Sequence, residues 1–473
     1  MLLQRTEVFP KIHFMQNRNS IPDLHGFFCT FILFSMQNGN QIPVLHNLSL
    51  TTPDKWKKIK ENNMDRSEYI PRKALATVAE MARSFPCVMV TGARQVGKST
   101  MLKQIMPGDM RYISLDDFRL LQRAKNDPIG FLEEMGAPLC IDEVQYAPDL
   151  LRAIKLKVDE ADTPGMYWLT GSQRFHMMKG ASESLAGRVG IVELNTLSQR
   201  EAERDSTAPD FFPSLEQLRE KAPARCSCDI SELYTRIWRG GYPALHRNLN
   251  RNINHYFDAY LQTYLERDVQ ALTQVGDKNA FLTLMQSAAA RTGQQLVYAD
   301  IAQDAGISPK TAKNWISILE TSGIISLLQP YHTNTIKRLS KTPKLYFMDT
   351  GLCAWLCNWP TPATLQSGAM SGAILETWVF GQLYRALGNR GMRSRLCYYR
   401  DSNGSEVDFL LEHEGKLYPM EVKRNSNPSL ADLKAVNGIP TGKAIMQPGI
   451  VLCTAREMLG LGKGNYTFPI SAM

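Results

Sequence analysis

Short apolar runs alternate with helix-period stretches between about residue 70 and residue 200. Ala74 to Met81 carries its apolar residues at helical spacing. Cys87 to Thr91 (CVMVT) is an unbroken apolar run, the pattern of a strand buried on both faces. Tyr112 to Leu115, Ala137 to Ile141, Met166 to Thr170 and Ile191 to Leu194 repeat that pattern after helix-length segments. The alternation predicts an α/β fold with a doubly wound parallel sheet. Aromatic and Leu residues then recur at helical spacing from Ile230 to about residue 290 (YFDAYLQTYLERDV). Val297 to Ile325 reads as helix, turn, helix and apolar strand. Beyond about residue 368 a helix (ILETWVFGQLYRAL) precedes strands at Leu396 to Tyr399, Val407 to Leu411 and Tyr418 to Val422, a second α/β pattern.

These shifts divide the chain into 1–63, 64–202, 203–295, 296–350 and 351–473. The segment 203–230, with several Pro and Ser, is expected to be a linker or lid before the helical stretch. Residues 1–63 show no sustained periodicity, whereas Met64 opens MDRSEYIPRK as a globular domain would begin. The expectation is a natural product starting at Met64, with the earlier residues an extension. The apolar run Phe27 to Met36 is too short to cross a bilayer, which takes about 20 residues. No membrane partner is expected, and a cytoplasmic location is.

Composition narrows this picture only slightly. At 44% hydrophobic and 21% charged residues, a wholly disordered chain is excluded. The net charge of +8 permits a nucleic-acid partner without demanding one. Nine scattered cysteines fit a reducing compartment. Neither Cys226 and Cys228 nor Cys353 and Cys357 has a second ligand pair at zinc-finger spacing.

The sharpest motif is Gly92-Ala93-Arg94-Gln95-Val96-Gly97-Lys98-Ser99, followed by Thr100, a full match to G-x-x-x-x-G-K-[ST]. It follows a strand and opens a helix, the context a phosphate loop requires. Glycines let backbone N–H groups curl around phosphates, and the helix N-terminus adds partial positive charge. Lys98 is expected on the β and γ phosphates of ATP, and the Ser99 hydroxyl on Mg²⁺. The strand Leu139 to Ile141 runs into Asp142 and Glu143. Asp142 is suited to hold Mg²⁺ and Glu143 to polarise the attacking water, although acids there also cap helices. Thr170-Gly171-Ser172-Gln173 ends another strand. Ser172 or Gln173 is the candidate γ-phosphate sensor, against a plain polar turn. Arg188, after Gly187, is the candidate arginine finger, in cis or across a boundary in a homo-oligomer, against a solvated surface arginine.

With GARQVGKST, YISLDD, LCIDEVQ, LTGSQ, SLAGRV and LSQRE in hand, the chain resembles the AAA-type P-loop ATPases of bacteria and archaea. The branch it resembles joins an N-terminal ATPase to a C-terminal domain of unknown function. RGGYPA and YLQTYLERDV extend the likeness over nearly everything after Met64. The resemblance implies a P-loop AAA-type ATPase domain in 64–202 and an ATP-dependent enzyme or switch, with no substrate specified.

Two further units bear on partners. In residues 299–325, Gly306 and Ile307 form a turn, Ser308 is a helix N-cap and Pro309 takes the first helical position. The second helix buries Ala312, Trp315, Ile316 and Leu319 and exposes Lys310, Lys313 and Asn314. This predicts a winged-helix-like unit able to meet nucleic acid, or one that only packs as a lid. In the C-terminal part, Asp408 lies on one strand and Glu421 and Lys423 share a face of the next, with Glu376 on the preceding helix. This resembles the PD-(D/E)xK nuclease core, a restriction-endonuclease-like α/β domain, without the Pro before the Asp. The resemblance implies that Asp408 and Glu421 hold Mg²⁺ and that Lys423 assists phosphodiester cleavage. A solvated hairpin or a nuclease-like fold that only binds are the alternatives. Arg385, Arg390, Arg393, Arg395 and Arg400, with no acid among them, suggest a polyanion surface nearby. A non-cutting switch acting on DNA or a protein partner is the rival function.

Overall fold

Five apolar runs become the five strands of a wholly parallel sheet: β1 (Cys87–Thr91), β2 (Arg111–Ser114), β3 (Leu139–Asp142), β4 (Tyr167–Thr170) and β5 (Val189–Glu193). Their order is β2-β3-β4-β1-β5. The structure, a computed structural model, describes residues 36–37, 40–41, 69–172, 184–221, 228–265, 277–333, 342–392 and 395–473. The chain divides into two compact units, 1–57 and 58–473. In the first, the described residues are the paired strands Met36–Gln37 and Asn40–Gln41. Everything below concerns the second.

The sheet is buried because its connections are helical. Every residue of β1, β3 and β4 is buried. The helices are α1 (Ala74–Ser84), α2 (Lys98–Ile105), α3 (Phe118–Asn126), α4 (Pro128–Met135) and α5 (Leu150–Ala161). Phe131, Leu132, Leu150, Ile154 and Val158 close over Met89, Ile141 and Leu169 in one core. Gly190 in β5 lies under α1, where an added Cβ would come within 2.9 Å of Met81. Because all five strands run the same way, their C-terminal ends share one edge, and the loops there converge.

Beyond two short helices at Gln199–Ala202 and Leu215–Lys221 come α6 (Ile230–Arg239), α7 (Pro243–Arg247), α8 (Ile253–Tyr264) and α9 (Lys278–Ala290). Next come β6 (Gln294–Gln295), α10 (Tyr298–Asp304), α11 (Pro309–Thr321), β7 (Ile325–Leu328) and β8 (Lys344–Phe347). The three strands form an antiparallel sheet, β6-β8-β7. At the start of α11 the Ser308 side chain accepts the Thr311 N–H and Pro309 stands at the first turn, while Lys310, Lys313 and Asn314 are exposed.

The C-terminal part is α12 (Ser371–Asn389), β9 (Leu396–Arg400), β10 (Glu406–His413), β11 (Lys416–Lys423), β12 (Ile450–Cys453), β13 (Gly460–Gly462) and β14 (Asn465–Pro469). Its mixed sheet runs β9-β10-β11-β12-β14-β13, antiparallel at both ends and parallel in the middle. Helix α12 is buried nearly all round, as a helix enclosed by neighbours must be. Tyr346 of β8 stacks on Phe380 of α12 at 4.3 Å, and Phe409 of β10 lies 5.9 Å from Tyr346. The small sheet and the C-terminal domain therefore share an aromatic core.

The segment expected to be a linker packs tightly where it is described. Phe211 meets Phe468 at 5.6 Å and Phe212 meets Tyr418 at 5.3 Å. Two adjacent aromatics in a Pro-rich stretch bury too much apolar area to stay in water. Cys226 lies outside the described residues, as do Phe27 to Ser35 of the early apolar run. No described helix is long and apolar enough to cross a membrane.

Candidate functional site

The loop from β1 to α2 lies at the C-terminal edge of the sheet. Gly92 has φ +142°, and a Cβ there would lie 2.0 Å from the Leu194 carbonyl oxygen, so only glycine fits. Gly97 has φ +93° and caps α2, making Lys98 its first residue. Lys98 is buried and its Nζ donates to Gly92 O at 3.0 Å and Ala93 O at 2.9 Å. The ammonium is thus held at the mouth of the loop by carbonyls that a phosphate can replace. Arg94 through Thr100, with Glu143 and Ser172, line a cavity of about 490 Å³. Tyr69 and Ile70 contribute to its wall, and so do Pro243, Ala244 and Arg247 of α7. The helical stretch therefore reaches the phosphate loop.

Asp142, at the end of β3, is buried. Tyr112 of β2 donates its hydroxyl to Asp142 Oδ2 and also bonds Ser99. Burial, and then Asp142, push the Tyr112 phenol far up. Asp142 Oδ1 is buried without a partner, as are the hydroxyls of Thr91, Thr170 and Ser172 at neighbouring strand ends. Each such atom costs about 1–3 kcal/mol when left unsatisfied. An orphan carboxylate oxygen beside Ser99 is what a hard cation needs, so Ser99 and Asp142 fit Mg²⁺. Glu143 follows at φ 57°, a left-handed conformation rare for a carboxylate residue, and its Oε2 accepts the Gln145 side-chain N–H. Gln173 lies outside the described residues.

Arg188 is placed away from this cavity. Its carbonyl accepts the Cys87 N–H at 3.1 Å, at the start of β1, and its side chain pairs with Asp159. Five residues of strand, at about 3.3 Å each, separate that level from the loop. Parallel strands put the residue before β5 at the opposite edge from the one after β1. The reading of Arg188 as a finger acting in cis is corrected accordingly.

Sequence reading missed the residue that braces the loop. Arg72, just before α1, donates from Nη1 to Val96 O at 2.7 Å and from Nη2 to Asn195 O at 2.6 Å. Its Nε pairs with Glu201 at 3.1 Å. Ser198 and Glu201 form a capping box, and Glu201 also accepts the Lys73 N–H. Burial alone would raise the Glu201 carboxyl, but Arg72 and the Ser198 and Lys73 N–H groups outweigh it and hold it below the usual range. LSQRE supplied a landmark, but nothing in its spacing connected it to Arg72.

In the C-terminal sheet Phe409 faces Met420, which brings Asp408 beside Glu421. Asp408 Oδ2 accepts the Val422 N–H at 2.8 Å, and Lys423 Nζ donates to Glu421 at 2.6 Å. A second lysine, Lys344 of β8, also meets these carboxylates. Its Nζ lies 3.0 Å from Glu376 and 3.8 Å from Asp408, and it pairs with Glu406. Burial would lower this ammonium, but Glu376, Asp408 and Glu406 hold it above the usual lysine range. Burial and then Asp408 push Glu421 up to about 8 and Glu376 up to about 7. A divalent cation needs oxygen ligands around an open position. Here Lys344 stands against Asp408 and Glu376 and Lys423 against Glu421, and among the described residues no three acidic, His or Cys side chains gather as metal ligands. Asp408 and Glu421 as placed do not fit the Mg²⁺ expected of them.

Two of the five arginines expected to form a surface, Arg385 and Arg390, are spent internally, while Arg395 and Arg400 are exposed. Arg385 is buried and donates to Thr196 O at 2.9 Å and Met348 O at 2.9 Å. Arg390 donates to Asp210 O at 3.0 Å, and Arg400 pairs with Glu406 at 3.0 Å. Arg393 lies outside the described residues. Long side chains on a helix enclosed by neighbours find carbonyls before they find water.

Residues 84–203 match the family described as AAA domain. That match, together with the parallel sheet and the phosphate loop, supports an AAA-type P-loop ATPase fold for this part of the chain and, with it, ATP binding. Residues 230–363 and 371–473 match two families described as domains of unknown function (DUF8612 and DUF4143). The uncharacterized proteins Rv2008c of Mycobacterium tuberculosis and Mb2031c of Mycobacterium bovis are each 29% identical over 364 residues, 76% of this chain and 75% of theirs. Among solved structures, a Walker-type ATPase of Pyrococcus abyssi is 14% identical with a TM-score of 0.40, covering 63% of this chain and 99% of that one. RuvB of Thermotoga maritima is 14% identical with a TM-score of 0.27, covering 54% and 87%. The assignment of the ATPase domain does not rest on either structure.

Proposed function

We propose that this chain binds and hydrolyses ATP at Gly92 to Thr100 and couples the nucleotide state to a module that engages nucleic acid. The observation that carries it is the 490 Å³ cavity, where the phosphate loop, Asp142's orphan oxygen nearby and helix α7 converge. Backbone N–H groups of the loop would cradle the phosphates while Lys98 leaves its two carbonyls for them. Ser99 and Asp142 would hold Mg²⁺, which supplies charge neutralisation on the phosphates. Glu143, steadied by Gln145, would take a proton from the attacking water, and Ser172 would contact the γ-phosphate with Gln173 beside it in sequence. Arg188 would serve only a neighbouring subunit's pocket. Closure of α7 on bound nucleotide is the step that would reach the rest of the chain.

The winged-helix reading of α10, α11 and the β6-β8-β7 sheet is supported by the exposure of Lys310, Lys313 and Asn314 on one helix. The nuclease-like reading of the C-terminal domain is supported by the adjacency of Asp408, Glu421 and Lys423. Lys344 among the carboxylates favours the second reading, a non-cutting switch, over constitutive cleavage. Steady-state ATP hydrolysis with and without added DNA tests the proposal. Turnover raised several-fold by DNA supports it. Turnover unchanged by DNA removes nucleic acid as the partner, and absence of turnover removes the ATPase.

A further inference from the structure

The C-terminal carboxylates already hold a cation, and it comes from outside their own sheet. Lys344 opens β8, whose partners are β6 and β7. It is only 3% exposed. Three carboxylates converge on its Nζ: Glu376 from α12, and Glu406 and Asp408 from β10. The approach is fixed on both sides. Lys344 is in register with Gln295 and with Leu328. Two residues on, Tyr346 stacks on Phe380 and donates its hydroxyl to Glu376 at 2.5 Å. Lys423 lines an open groove of about 400 Å³ with Asp401, Ser405, Asp432 and Lys434. Lys344 thus reaches these carboxylates from a neighbouring sheet, while Lys423 holds Glu421.

We infer that Lys344 is a latch: its ammonium fills the cation position of the C-terminal centre, so that Lys344 docking and divalent-cation binding exclude each other. The inference rests on the nuclease-like reading of this domain. Its physical basis is charge. A dication placed against Asp408 and Glu376 would face an ammonium a few ångströms away in a site of low dielectric, and would compete for the same oxygens. An uncharged side chain at position 344 removes both obstacles and leaves buried carboxylates in search of a counter-charge.

Mn²⁺ binding to the full chain without nucleotide, followed by electron paramagnetic resonance, tests this. The variants are Lys344→Met, Asp408→Asn and the double variant. They differ only at positions 344 and 408, so any Mn²⁺ at the phosphate-loop site cancels. The expected result is Mn²⁺ affinity at least about tenfold higher in Lys344→Met than in the wild type, lost again in the double variant. Wild-type affinity equal to that of Lys344→Met, and abolished by Asp408→Asn, overturns the latch while the metal centre stands. No Asp408-dependent Mn²⁺ binding in any variant overturns both. Should Lys344→Met fail to fold, Lys344→Gln, uncharged yet able to bond Glu376, takes its place with the same expected outcomes.

Discussion

Arg72 and Glu201 lie 129 residues apart in sequence and pair in the interior at 3.1 Å, with Arg72 Nη1 continuing to the Val96 carbonyl of the phosphate loop. One ion pair therefore joins the entry to α1, the segment after β5 and the nucleotide cavity. Glu201→Gln leaves the guanidinium buried without its counter-charge and is expected to destabilise the protein by about 3–5 kcal/mol in chemical unfolding. The Glu201 carboxyl titrates below its ordinary value of 4.5 in the folded protein. Its contribution is therefore present above about pH 4.5 and lost as pH falls through the folded value. Wild-type stability should drop more steeply on acidification than that of Glu201→Gln. Parallel curves would show that this pair does not govern the acid limb.

Lys98→Ala should abolish tight ATP binding in calorimetry. Two loop carbonyls would keep their place but lose the ammonium that a phosphate takes over. Retained micromolar affinity would contradict the role given to Lys98.

Glu143→Gln should bind ATP and turn it over at least about 100-fold more slowly, the usual scale for losing a positioned base. Gln145→Ala should show a smaller loss of turnover with unchanged ATP affinity, because Gln145 acts through its hydrogen bond to Glu143. Wild-type turnover in Glu143→Gln would remove Glu143 as the base.

Gly92→Ala should fail to form the nucleotide cavity, since its Cβ would meet the Leu194 carbonyl at 2.0 Å, a backbone atom with nowhere to move. Loss of binding together with a lowered thermal midpoint is expected. Wild-type values for both would show that the loop can reshape.

Lys310→Ala with Lys313→Ala should weaken DNA binding and lower the slope of log affinity against log salt by about two, roughly one per phosphate contact. An unchanged slope would move the DNA-contacting face away from α11.

The parts of this protein legible in its sequence are those whose partners are close along the chain. The phosphate loop declares itself because Gly92, Gly97, Lys98 and Ser99 all serve one turn between a strand and a helix. The inner strands β1, β3 and β4 of the parallel sheet were readable because burial on both faces demands an unbroken apolar run, as in CVMVT. The Ser308 cap and Pro309 were readable for the same local reason.

What only the tertiary structure decided lies between distant segments. Arg188 and the phosphate loop looked like neighbours in function, but the direction of parallel strands sends them to opposite edges of one sheet. Arg385 and Arg390 looked like a polyanion surface, but the enclosure of α12 turned them inward to Thr196 and Asp210. Lys344 carries no motif of its own, and its partners Glu376, Glu406 and Asp408 arrive 32 to 64 residues later from two other elements. Sequence periodicity reports which face of an element is apolar. It carries no record of which distant charge will be buried against it, because that depends on how separate elements pack.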